Sequence, residues 1–202
     1  MRKFIQASKI KLAKKFHKIG LIYWAYWSKL YRILFHWKYE KIPLAKNLSV
    51  IEVDQKLSRL IWIPDGPKEL WDACGSPHRI QHVLNAIDGG NPQPNEPLDC
   101  DDFSIWACNT IDKKYYPRIF SFAWVTQKNE IKGHAMCLCR QKDGKLFHLG
   151  NWGLKGPYRN LREACQDIIK LRDAREGVCW ALFDRNLNLL ISGSELPSGK
   201  IC

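Results

Sequence analysis

A cysteine at a helix start, followed by two strands that a tight turn joins, constrains the fold of this chain more than any other feature. The block Asp99-Cys100-Asp101-Asp102-Phe103 precedes apolar residues at helical spacing, so we expect Cys100 in the first turn of a helix. Residues 134–141 and 145–149 alternate as strands do, and Asp143-Gly144 between them is a hairpin signal. The chain beyond the second strand therefore returns to the start of the first.

That return brings a third residue type to the same place. His134 stands near the start of one strand, and Asn151 follows the other by two residues. A thiol nucleophile needs a base that takes its proton and a group that fixes the tautomer of that base. Cys100, His134 and Asn151 are therefore candidates for nucleophile, base and orienting residue.

The order of the remaining elements predicts an α+β domain over residues 47–202. Residues 68–87 are helical in pattern with an interruption at Gly75-Ser76-Pro77, where Ser76 can cap the second piece. A further helix is predicted over 158–175. Strands are predicted over 119–126, 178–184 and 187–192, in an antiparallel sheet against which the Cys100 helix packs.

Nearly all of the net charge lies in the first 46 residues. That segment carries twelve Lys and Arg against one acid, out of a formal net charge of +12 for the whole chain. Aromatic and aliphatic residues recur there at helical spacing, which predicts one or two helices with Gly20 as a candidate break. The pattern of residues 1–42 is typical of a helix on an anionic membrane surface, of one on a nucleic-acid backbone, or of one packed on its own domain.

The eight cysteines include no CxxC pair, and several lie in apolar runs, which favours reduced thiols and a reducing compartment. The apolar stretch 19–27 is too short to cross a bilayer, and no small-residue cleavage site follows it. We therefore expect a cytoplasmic protein, peripheral at the membrane if the basic segment binds one. The oligomeric state is left open.

Residues 50–155 resemble the bacterial transglutaminase-like cysteine peptidases, in the transglutaminase-like branch of the papain-like superfamily. The motifs that carry the resemblance are Asp99-Cys100-Asp101-Asp102-Phe103, the strand opening Gly133-His134-Ala135, the Asp143-Gly144 hairpin and Leu149-Gly150-Asn151 after the return strand. The resemblance implies a papain-like core and thiol-dependent acyl transfer on a protein or peptide-like amide. Residues 1–46 and the chain after Pro157 lie outside it.

The resemblance also implies roles. Cys100 would form a thioester, His134 would act as base and then acid, and Asn151 would orient His134, where these families usually have Asp. The oxyanion would be bound by the Cys100 N–H, with Gln93 or Trp71 as second donor. The acceptor would be water or an amine. The alternative to an enzyme is a protein that has the same fold without catalytic activity and binds a membrane or nucleic acid.

We expect no cofactor and no metal. The residues leave two metal sites open as alternatives. Asp101 and Asp102 offer the oxygen ligands of a calcium site, and His78 and His82 are spaced four apart as in zinc sites.

Overall fold

The chain folds into an α+β structure around one six-stranded antiparallel sheet. The computed structural model describes residues 2–63, 74–94 and 97–197. The helices are α1 (Arg2–Phe35), α2 (Val50–Leu57), α3 (Pro77–Asp88), α4 (Cys100–Thr110) and α5 (Leu161–Leu171). The strands are β1 (Arg118–Thr126), β2 (Ile131–Arg140), β3 (Leu146–Leu149), β4 (Lys155–Tyr158), β5 (Ala174–Phe183) and β6 (Leu189–Gly193).

The strands lie in the order β4-β3-β2-β1-β5-β6. The predicted hairpin is confirmed: β2 pairs with β3, and Gly144 between them adopts a positive φ of 86°. Strand β4 was not predicted. The helix predicted over 158–175 is accordingly too long, because Tyr158 ends β4 and Ala174 begins β5.

Alternation along β2 divides the core into two layers. Met136 and Leu138 face α5, and Cys137 and Cys139 face α4 on the opposite side of the sheet. This agrees with the two faces expected from the period of two in a strand. The α5 layer also contains Phe120, Phe122, Trp124, Leu161, Ile168, Trp180 and Leu182.

Helix α4 is the central helix of the domain. Nearly every residue of it is buried, including Phe103, Ile105 and Trp106. Asp99 is its N-cap and accepts a hydrogen bond from the Asp101 N–H, so the helix begins at Cys100 as predicted. Ser76 caps α3 in the same way, which confirms the predicted start of that helix.

The basic N-terminal segment forms one helix, and the break that Gly20 suggested does not occur. Trp24 packs on Phe183 with ring centroids 5.3 Å apart, and Ala25 belongs to the α4 layer of the core. Packing thus offsets the cost of about 1 kcal/mol that a glycine imposes on a helix interior. None of the described helices has both the length and the apolarity that crossing a membrane requires.

Candidate functional site

Cys100 lies beside the first half of β2, where β3 no longer pairs with that strand. The β2–β3 ladder ends at the pair Cys137 and Leu149, so the earlier residues of β2 have no partner strand on that side. The Ala135 N–H donates a hydrogen bond to Cys100 Sγ at 3.5 Å. Cys100 is also one of two partly exposed thiols, with Cys179, among the seven cysteines described. The thiol is therefore reachable and lies next to the residue that follows His134.

His134 stands on the same strand edge, but its side chain is buried in the α5 layer, on the side of the sheet opposite α4: it lies across the ladder from Phe122 of that layer. Its imidazole stacks on the indole of Trp152 with centroids 3.7 Å apart, and the Arg172 guanidinium lies 3.7 Å from the centroid of that indole. Burial first, and then repulsion by Arg172 and His148, lower the pKa of His134 to about 3. The imidazole is therefore neutral at physiological pH and, in this position, a weak base.

Asn151 follows the end of β3. Gly150 lies against the main chain of Ala135 and Met136, which brings Asn151 beside the start of β2. The Oδ1 atom of Asn151 and the Nε2 atom of His134 are both buried, and neither has a hydrogen-bond partner among the described residues. The hydrogen bond expected between them is thus not formed in this structure, although a complementary donor and acceptor are both left unpaired.

A cleft opens beside Asn151 on the α4 side of the sheet. Its volume is about 260 Å³. Leu57, Leu60, Trp62 and Phe103 supply apolar walls, and Asp54, Ser58, Gly150, Asn151 and Gly153 complete the lining. The lining has the size and the combination of apolar and polar groups to hold a small side chain of a substrate beside Asn151.

A buried polar network supports the start of α4. Asp102 accepts the Gly75 N–H through Oδ1, and its Oδ2 lies 3.7 Å from the Arg79 guanidinium. The Cys74 thiol donates to the Asp101 carbonyl, and burial raises the pKa of that thiol to about 12. Arg32 of α1 donates to the Cys74 carbonyl, so the N-terminal helix reaches the underside of this network.

Of the two metal alternatives, only the aspartates come together. Carboxylate oxygens of Asp99, Asp101 and Asp102 lie within 4.8 Å of one another, the one group of three or more such ligands in the described ranges. Burial first, and the charge of Asp99 second, raise the pKa of Asp101 well above its usual range. His78 instead contacts the Ile42 carbonyl and Glu40, and His82 packs on Tyr39.

The two predicted oxyanion donors differ in outcome. Gln93 uses its carboxamide on the main chain of Ile61: it accepts from the N–H at 2.7 Å and donates to the carbonyl at 2.9 Å. Its oxyanion role stays a prediction that would require release from Ile61. Trp71 lies outside the described residues.

The sequence reading missed two residues of the site, Trp152 and Arg172. Trp152 stood next to Asn151 and could have been included on that ground. Arg172 reaches the site only because α5 ends beside it, and no local motif marks that contact.

Comparison with protein-family models, curated proteins and solved structures finds no match to this chain, so the family resemblance is supported by its motifs alone.

Proposed function

We propose that the chain catalyses thiol-dependent acyl transfer at a peptide or other amide bond, on a papain-like core. The observation that carries the proposal is the hydrogen bond from the Ala135 N–H to Cys100 Sγ. It joins the helix that bears the thiol to the strand that bears the base, at one point of the sheet edge. The motifs of the sequence name His134 as the base; the contact supports the proposal through the strand that carries His134, while its imidazole rests against Trp152 in the α5 layer.

The chemistry follows from that pair. His134 takes the proton of Cys100, and the sulfur attacks the substrate carbonyl to form a tetrahedral intermediate. The C–N bond then breaks, and the amine leaves with the proton returned by His134. Water attacks the resulting thioester in a second step, which His134 assists as base, and releases the acid and the free thiol.

Asn151 has a supporting role in this scheme. Its buried, unpaired Oδ1 is the natural acceptor for the Nε2 proton of His134, and pairing them leaves Nδ1 free to act as base. An amide carbonyl can orient the imidazole but does not stabilise an imidazolium as a carboxylate does. In the resting stack, with a pKa of about 3, the imidazole of His134 is too weak a base for this step, so the scheme requires it to turn away from Trp152 and towards Cys100.

Hydrolysis is the form of the reaction that we propose, and amine crosslinking is the alternative with the same first step. The inactive alternative, a fold that only binds other molecules, makes the opposite prediction for the thiol. Cys179 provides an internal control, since it is the other partly exposed cysteine described and burial raises its pKa.

The test is the rate of iodoacetamide alkylation at each thiol of the full chain, followed by peptide mass spectrometry near neutral pH. We expect Cys100 to react at least about tenfold faster than Cys179, and His134→Gln to remove that difference. Equal rates for the two thiols, or an unchanged Cys100 rate in His134→Gln, would rule out the enzymatic proposal. A separate reaction distinguishes hydrolysis from amine transfer: a primary amine is added while Cys100 carries the acyl group as a thioester, and the product is either the free acid or the new amide.

A further inference from the structure

Helix α1 has two apolar faces, and only one of them is used by the fold. The inward face carries Leu21, Trp24, Ala25 and Ser28, which pack on the domain. Ser28 accepts the Cys74 N–H at 3.0 Å, and Lys29 donates to Asn188 at 2.9 Å. These contacts fix the rotation of the helix, so the opposite face must point away from the domain.

The outward face bears a continuous apolar row. Ile19, Tyr23 and Tyr26 are 64%, 69% and 69% exposed. At 100° per residue they lie on the side of the helix opposite Ser28. The full row, at alternating spacings of four and three, is Leu12, Phe16, Ile19, Tyr23, Tyr26, Leu30 and Ile33, of which only Leu30 is half-buried.

Charge distinguishes among the surfaces that would cover this row. Lys11, Lys15 and Lys18 are exposed along one flank of it. No residue of α1 is acidic. A second copy pairing along the same row would bring lysines together without any carboxylate to neutralise them, whereas an anionic surface complements both the row and its flank.

We propose that this outward face of α1, defined by Leu12, Phe16, Ile19, Tyr23, Tyr26, Leu30 and Ile33 with the flanking Lys11, Lys15 and Lys18, binds the surface of an anionic phospholipid bilayer. The helix lies along the interface. Its apolar row enters the boundary between headgroups and acyl chains, and its lysines meet lipid phosphates. This surface is separate from the thiol site and does not depend on the proposed acyl transfer.

The aromatic content of the row favours a bilayer over a nucleic acid. Tyrosine has an apolar ring and a polar hydroxyl, which suits the depth at which headgroups meet acyl chains. Nucleic-acid binding would depend mainly on the lysines, and would tolerate the loss of Ile19. The two partners therefore respond differently to the same substitutions.

The experiment is co-sedimentation of the full chain with vesicles of phosphatidylglycerol and phosphatidylcholine, with pure phosphatidylcholine vesicles for comparison. We expect binding to the mixed vesicles and at least about tenfold weaker binding to the neutral ones. The combined substitution Ile19→Ser, Tyr23→Ser, Tyr26→Ser should weaken binding to the mixed vesicles by at least about tenfold. Lys11→Gln, Lys15→Gln, Lys18→Gln should weaken it too and remove most of its salt dependence.

Matched controls replace exposed residues elsewhere. Ile51, Leu171 and Leu190 are exposed aliphatic residues on three other elements, and Ile51 is 63% exposed, like Ile19. Their triple serine variant should bind the mixed vesicles as the unmodified chain does. The same holds for Lys128→Gln, Lys132→Gln, Lys142→Gln, which removes three exposed charges from outside α1.

Three outcomes would overturn the proposal. The first is vesicle binding that the apolar triple variant leaves unchanged. The second is a dimer in analytical ultracentrifugation that the same variant dissociates, with no vesicle binding. The third is tight binding of duplex DNA or RNA that is lost only in the lysine variant, again without vesicle binding. Cys100 alkylation in each variant is expected to be unchanged, so failure here is distinguishable from failure of the proposed acyl transfer.

Discussion

The imidazole of His134 and the indole of Trp152 lie face to face, 3.7 Å apart and within 5° of parallel. The Arg172 guanidinium is equally close to the indole centroid, so the three groups form a stack in which the indole lies between the imidazole and the guanidinium. The indole excludes water from one side of the imidazole, and Arg172 adds positive charge beyond it. Both effects disfavour the imidazolium.

The first prediction concerns that charge. Arg172→Gln should raise the pKa of His134 from its value of about 3, since Arg172 is the largest cause of the depression after burial. The pKa is measured from the imidazole signals of His134 in an NMR pH titration. Lys170→Gln is the matched control, because it removes an equal charge from the last turn of the same helix.

The control should leave the His134 titration where it is. An unchanged titration in Arg172→Gln would contradict the prediction. A rise of equal size in both variants would mean that general surface charge sets the pKa, and that the stack does not.

The second prediction concerns stability in acid. His134 has a folded-state pKa of about 3 and His148 one of about 4, both below the ordinary value of 6.5. Between those folded values and 6.5 the unfolded chain binds protons that the folded chain does not. The free energy of unfolding should therefore fall as the pH falls through this window, by up to about 1.4 kcal/mol per pH unit for each histidine.

His134→Gln should reduce the pH dependence of the free energy of unfolding by the contribution of one histidine. The free energy of unfolding is measured by urea denaturation at several pH values from 4.5 to 6.5. The substitution is free to shift the whole line, so only the slope decides. A line shifted but parallel to that of the unmodified chain would show that His134 does not take up a proton on unfolding.

The third prediction concerns the buried pair below the start of α4. Asp102→Ala removes the acceptor of the Gly75 N–H and the carboxylate that faces Arg79. We expect a loss of about 3 kcal/mol or more in the free energy of unfolding, because an uncompensated charge would stay buried. The measurement is equilibrium denaturation.

A second variant separates the two contributions. Asp102→Asn keeps an oxygen acceptor for Gly75 but loses the charge, so it should be less destabilising than Asp102→Ala. Arg79→Met combined with Asp102→Leu should cost less than the sum of the separate changes. Strict additivity would show that the two residues do not interact.

The fourth prediction compares two glycines that alanine would affect in opposite directions. At Gly75 an added Cβ would stand 2.3 Å from Asp102 Oδ1 and 3.0 Å from His36 Cε1, so Gly75→Ala should destabilise the chain. At Gly20, inside α1, nothing lies within 4 Å of the added atom. Gly20→Ala should therefore raise the stability of the helix by roughly 1 kcal/mol.

Thermal unfolding of the two variants is the measurement. Gly20→Ala also serves as the control for handling and expression, since the same substitution is made in both. A lower melting temperature for Gly20→Ala would indicate that α1 needs a flexible point after all.

Local signals in the sequence were sufficient for several elements. The Asp99 cap, the Ser76-Pro77 helix start and the Asp143-Gly144 turn each depend on chemistry within a few residues, and the structure forms all three. The alternation along β2 likewise predicted which side chains face each layer. Strand β4 was not predicted because Lys155–Tyr158 is short and has little apolar alternation.

The candidate site divides in the same way. The sequence by itself determined that Cys100 starts a helix and that His134 and Asn151 lie at one end of a hairpin, because caps and strand periods act locally. Only the tertiary structure decided that Ala135 contacts the thiol, that Arg172 lies over Trp152 and that α1 has one face left uncovered. Those contacts join residues far apart in the chain, and they depend on the packing of whole elements, which no local pattern encodes.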